Sequence, residues 1–163
     1  MDTYVECLVK RKTNGPMNVL RVMMFILTAL MFILGSIGHF LFMLAAIAVG
    51  FGAYIVHLNT KLEYEYLYVD RQLTIDKIMA QQSRKKMETF ELDRMEILAP
   101  IKSWHLENYK NRQLKVSDYS TGIEDKPDRR YVLIYNDRKI IFEPNQEMIL
   151  AIKSIAPRKV FTD

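Results

Sequence analysis

The hydrophobic rhythm of this chain changes twice. Residues 4–11 (YVECLVKR) alternate loosely, with Val5, Cys7 and Val9 on one side. That pattern predicts a short strand pairing with the edge of a downstream sheet. Tyr4, Val5, Leu8 and Val9 also outline a short helical face, so an interfacial helix is the alternative. The next stretch, residues 22–60, has 39 positions without Asp, Glu, Lys or Arg. One membrane-spanning helix takes about 20 apolar residues, so this length predicts two spans and a tight turn. The turn falls at residues 35–39 (GSIGH), where two glycines, a serine and a histidine interrupt the apolar run. The spans are then residues 18–34 and 40–58, each about 25–28 Å long. That is a little short of a hydrocarbon core of about 30 Å and calls for local thinning or snorkelling. The stem of Arg21 reaches back toward the headgroups, with Tyr54 and His57 near the same interface.

From Lys61 the period becomes that of strands. Leu62–Val69 (LEYEYLYV) sets Glu63 and Glu65 on a solvent side and Tyr64, Tyr66 and Tyr68 on the other. After a turn at residues 70–72, residues 73–79 carry Leu73, Ile75 and Lys77 on one face. Thr74, Asp76 and Ile78 take the other. A connection at 80–83 leads to strands at 84–92 and 94–98, closed by Pro100. Residues 101–111 contain a helical turn, and 114–119 form another strand. Residues 120–128 (STGIEDKPD) form an exposed loop. Tyr131–Tyr135 and Arg138–Phe142 flank Asn136-Asp137, a pair suited to a two-residue hairpin turn. In that register Leu133 faces Ile140 and Tyr131 faces Phe142. The last element is a helix with Pro144 in its first turn, an inner face of Met148, Ile149, Ile152 and Ile155, and Pro157 beyond its end.

About seven strands followed by one helix is the order of the pleckstrin-homology-like (PH-like) fold. The runs KLEYEYLYVDRQLTIDKI, RKKMETFELDRMEILAP and YVLIYNDRKIIFEPNQEMILAIKSI resemble bacterial PH-like domains. The whole chain, hairpin included, resembles small membrane proteins of clostridial Firmicutes that carry two transmembrane helices and such a domain. The resemblance implies an α+β protein: a transmembrane helical hairpin, then a PH-like β-sandwich or barrel with a C-terminal capping helix. It brings no established activity, so no residue role is carried over. The expected divisions are an N-terminal strand or interfacial segment (1–16), the hairpin (17–60) and a cytoplasmic PH-like domain (61–163).

Charge sets the orientation. Lys10, Arg11, Lys12 and Arg21 precede the spans, Lys61 and Arg84-Lys85-Lys86 follow them, and the turn between has no Lys or Arg. The positive-inside rule then places both termini in the cytoplasm of a cell-membrane protein. A cleaved signal peptide is disfavoured. Ala46-Ile47-Ala48 resembles a cleavage site, but the apolar run before it is too long. A monotopic hairpin dipping into one leaflet is the other arrangement the short spans allow. From Lys61 on, 19 Lys and Arg oppose 17 Asp and Glu. So small and dispersed an excess argues against nucleic-acid binding despite a pI near 9.1. Cys7 is the only cysteine, which excludes an internal disulfide and a cysteine-rich metal site.

Known catalytic patterns are missing: the sequence has no zinc-spaced histidines, glycine-rich phosphate loop or nucleophile elbow. No cofactor, metal site or enzymatic activity is expected. His39 reads as an interfacial turn residue, and Trp104-His105 as a packed loop that can line a pocket. The leading surface is the basic group Lys77, Arg84, Lys85 and Lys86, a contact for anionic lipid headgroups or a partner protein. Each basic residue near an anionic leaflet contributes about 1 kcal/mol. In the second span Ala46 and Gly50 have the spacing that lets helix backbones approach closely. Packing against the first span is the plain use of that face, and homodimerisation is the other. Two function classes stand: a membrane-anchored, non-catalytic binding or scaffold module, and a small membrane enzyme or transport accessory. The second would have its site at the hairpin–domain junction around Tyr54, His57 and Glu63. The absence of charge from residues 22–60 disfavours it.

Overall fold

The computed structural model of the chain describes residues 4–13, 15–38, 40–123 and 129–162. It divides into two compact units. One holds residues 13–62 and 79–83, the other residues 1–12, 63–78 and 84–163.

The first unit is a helical hairpin of α1 (Gly15–Ser36) and α2 (Phe40–Thr60). At 22 and 21 residues, the helices are about 33 and 32 Å long at 1.5 Å per residue. Both outrun the expected spans, so length alone requires no thinning of a bilayer. The polar end residues lie within the helices, and their hydroxyl and amide groups are satisfied by carbonyls one turn back. Ser36 donates to the Ile33 carbonyl at 2.7 Å, Asn59 to Ile55 at 2.9 Å and Thr60 to Val56 at 2.7 Å. The turn contains Gly38 at φ +119°, in the region that favours glycine. His39 lies outside the described residues.

Small residues set the contact between the helices. A Cβ on Gly35 would lie 2.8 Å from the Met43 nitrogen, and one on Gly50 would lie 3.2 Å from Thr28 Cγ2. Ala46 and Ala53 are buried. Few residues are buried elsewhere: 6% of the most apolar window of α1 and 11% of that of α2. A core helix of a soluble protein would be mostly covered. These two are long and apolar enough to cross a membrane.

The second unit has two four-stranded sheets, β1-β2-β3-β4 and β5-β7-β8-β6. The strands are β1 (Val5–Lys10), β2 (Leu62–Val69), β3 (Gln72–Met79) and β4 (Ser83–Glu91), then β5 (Met95–Pro100), β6 (Lys115–Asp118), β7 (Tyr131–Tyr135) and β8 (Arg138–Phe142). The N-terminal segment is a strand, antiparallel to β2, with Cys7 opposite Tyr66. Seven further strands follow the hairpin. The β7–β8 register is the expected one, with Leu133 opposite Ile140 and Tyr131 opposite Phe142. β6 pairs parallel to β8.

The main core lies between the sheets. Tyr66, Leu73, Ile75 and Phe90 of the first sheet meet Leu133, Ile140 and Phe142 of the second. The Tyr66 and Phe142 rings meet edge to face at 5.4 Å. Helix α3 (Gln146–Ile155) closes this core with Met148, Ile149 and Ile152, while Ile155 packs at its margin. Its N-cap is Asn145, which accepts from the Met148 N–H at 2.8 Å. Pro144 therefore precedes the cap, where the sequence suggested the first turn. An amide side chain at position 145 satisfies an orphan helix N–H that proline could only avoid.

A second apolar layer covers the other face of the second sheet. Ile97, Val132 and Ile134 pack there with Leu106, from the 3-10 helix Trp104–Tyr109. Covered on both faces, β7 is a continuous apolar run.

Candidate functional site

Of the four basic residues of the sequence reading, three lie on β4 and Lys77 on β3, and they differ in exposure and pairing. The Thr74 and Thr89 hydroxyls meet at 3.1 Å, which pins β3 against β4. Lys85 and Lys86 are exposed and Lys77 is half-buried. Arg84 is engaged: its Nε lies 2.9 Å from Asp76, and its guanidinium also meets Glu65.

Those acids correct another expectation. Glu63 and Glu65 do lie opposite the tyrosines of β2, yet they are 8% and 7% exposed, and Asp76 is 8% exposed. They are tolerated because cations cover them. Lys10 lies 3.5 Å from Glu63, and Arg84 serves both Glu65 and Asp76. Arg11 is also occupied, donating to the Tyr64 hydroxyl at 2.9 Å and the Asp118 carbonyl at 3.2 Å. In the helical unit, His57 meets Phe25 edge to face, and Tyr54 is exposed. Among the described residues no group of three or more His, Cys, Asp or Glu is arranged to hold a metal ion.

Beneath the 3-10 helix lies a feature of which the sequence reading had only the suggestion that Trp104-His105 can line a pocket. There a cavity of about 220 Å³ opens on the outer face of the second sheet. Its apolar lining includes Ile101, Leu106, Leu114, Val132 and Ile134. Lys102, Lys110 and Lys139 also line it, with Glu107 as the one acid. Glu107 is paired with Lys110 at 3.2 Å, leaving a net charge of +2. Lys139 stands on β8 between Ile134 of β7 and Val116 of β6. Its ammonium has no acid or hydrogen-bond acceptor among the described residues.

Trp104 forms the aromatic edge of the cavity. It is 68% exposed but held in place: His105 stacks on it at 3.7 Å and on Phe161 at 3.6 Å. The segment starts where Ser103 Oγ accepts from the His105 N–H at 3.3 Å. Besides Trp104, the signal that could have disclosed the cavity is Lys139. Its neighbour on the same face of β8 is Ile141, and an inner-strand lysine on an apolar face needs a reason.

The chain matches the family described as Bacterial PH-like domain (DUF6106) over residues 1–162. No curated protein and no solved structure matches it.

Proposed function

The chain belongs to that family of bacterial PH-like domains, and from this premise we propose that it is a membrane-tethered, non-catalytic binding module. The hairpin would hold the β-domain at the cytoplasmic surface, where it recruits a protein partner and feels anionic lipid locally. One observation carries the reading. Two long apolar helices have few buried residues, and a folded β-domain begins one residue, Lys61, after the second of them. The basic residues on both outer flanks of the hairpin, with none in its turn, support cytoplasmic termini. PH-like domains are in general binding modules, which supports recognition over catalysis.

Site-directed labelling in intact cells tests the arrangement. Cys7 is half-buried and its thiol lies 3.7 Å from the Glu143 carbonyl, so the probes belong in a Cys7→Ser background. Ser36→Cys, in the turn, should react with a membrane-impermeant maleimide. Lys115→Cys, exposed on β6, should react only after lysis. The opposite pattern would overturn the orientation. Silence of both until lysis would place the hairpin in one leaflet.

A further inference from the structure

We propose that the cavity beneath the 3-10 helix is a binding site for a small carboxylate with an apolar body, such as an aryl-acetate. The carboxylate would meet the ammonium groups of Lys139 and Lys102, and the apolar body would lie against Leu106, Tyr109 and Trp104.

Three observations carry this. First, the lining pairs an apolar floor with unbalanced positive charge, and the only lining acid is already spent on Lys110. An anion is what that charge accepts, and charge-assisted hydrogen bonds are the strong ones. Second, Lys139 is half-buried on an inner strand, flanked by Ile134 and Val116. Its backbone is fixed by the sheet and its side chain is half-buried, so a ligand pays less to order it than it would an exposed lysine. Third, the volume of about 220 Å³ lies below the roughly 300–1,000 Å³ of pockets for drug-sized molecules. It admits one ring and a carboxylate, and the stacked Trp104 offers that ring a pre-positioned face. An inorganic anion would leave the apolar floor unused. A neutral aromatic would leave Lys139 without its counter-charge.

This inference is independent of the orientation of the hairpin, so failure of one leaves the other standing. Trp104 is the only tryptophan in the chain, and it lines the cavity, so intrinsic fluorescence reports occupancy directly. The full chain in detergent or nanodiscs is titrated with phenylacetate, phenylacetamide and inorganic phosphate. Phenylacetate should change the Trp104 emission saturably, while the amide and phosphate should bind at least tenfold more weakly. Lys139→Gln should weaken phenylacetate at least tenfold, the effect expected for loss of a charged hydrogen bond. Lys102→Gln, a surface change that leaves the sheet untouched, should weaken it less, and Lys139→Arg should retain binding. Equal binding of the amide would remove the role of charge. Equal binding of phosphate would remove the role of the apolar body. An unsaturable response, or affinity unchanged in Lys139→Gln, overturns the proposal.

Discussion

Two side chains show how far a single residue's environment departs from its pattern. Arg84 reads in sequence as part of a free basic run, because the residues that neutralise it lie on β2 and β3. Alternation along one strand does not say what reaches across from neighbouring strands to meet a residue. Removing the guanidinium would leave Glu65 and Asp76 buried without a counter-charge. Arg84→Gln should therefore destabilise the β-domain by about 1–3 kcal/mol, the cost of breaking a buried pair discounted for the half-exposed arginine. Changing Lys85 or Lys86 to Gln should be near neutral, and chemical denaturation of the full chain in detergent compares them. Tyr66 makes a pH prediction. Its hydroxyl donates to the Tyr119 carbonyl at 2.6 Å in the main core, and burial pushes its phenol far above the ordinary value. A pKa raised by folding contributes stability that is fully present below the unfolded value, about 10. That stability is lost as pH rises above it. Tyr66→Phe should cost about 1–2 kcal/mol at pH 7 through the lost hydrogen bond. Wild type and variant should then converge as pH is raised past 10. A constant difference across that range would show that Tyr66 does not titrate on unfolding.

At the scale of elements, what was legible in the sequence is what local rules decide. The β7–β8 hairpin was readable to its register because a two-residue turn leaves one pairing that puts Leu133 and Ile140 inside. The amphipathic spacing of α3 was equally plain, although its first turn was set two residues early, at Pro144 where the helix begins at Gln146. The 3-10 helix over the second sheet was only a suspected helical turn. Its value is tertiary: it hides the outer face of β7 and creates the cavity, and no periodicity within it says so. Helix α3 supplies a matched pair of mutations. Ile152 is fully buried and Leu150 is 57% exposed. Ile152→Ala should cost roughly 2–5 kcal/mol, whereas Leu150→Ala should stay within about 0.5 kcal/mol. Equal effects would mean that α3 does not close the core through this face. The β3–β4 turn offers the reverse experiment. Ala80 and Gln81 adopt φ of +48° and +58°, a region costing a non-glycine residue about 1–2 kcal/mol. Gln81→Gly should raise the thermal midpoint.

The whole molecule is built around an insertion: β1 pairs with β2, and the hairpin lies between them in the chain. The uncharged run disclosed the hairpin, but the parallel β6–β8 pairing could not be read, because it joins segments far apart in sequence with no turn to fix them. The same arrangement sharpens the lipid proposal. The Ala80 N–H donates to the Lys61 carbonyl at 2.7 Å, tying the β3–β4 turn to the residue that follows α2. Lys85 and Lys86 are two and three residues beyond Ser83, within about 10 Å of it along the strand. Screening falls off over about 8 Å at physiological salt and 3 Å at 1 M, so only basic residues this close to the helix exit can feel headgroups. An environment-sensitive fluorophore on Ser83→Cys, in a Cys7→Ser background, would read that contact in nanodiscs. With anionic lipid the emission should shift toward an apolar environment, and 1 M salt should reverse it. Replacing Lys85 and Lys86 with Gln should weaken the shift by about 1 kcal/mol each. Arg84→Gln should weaken it less, because Glu65 and Asp76 already hold that charge. A shift that ignores both lipid charge and salt would remove lipid from the proposal and leave protein recruitment as the role of this surface.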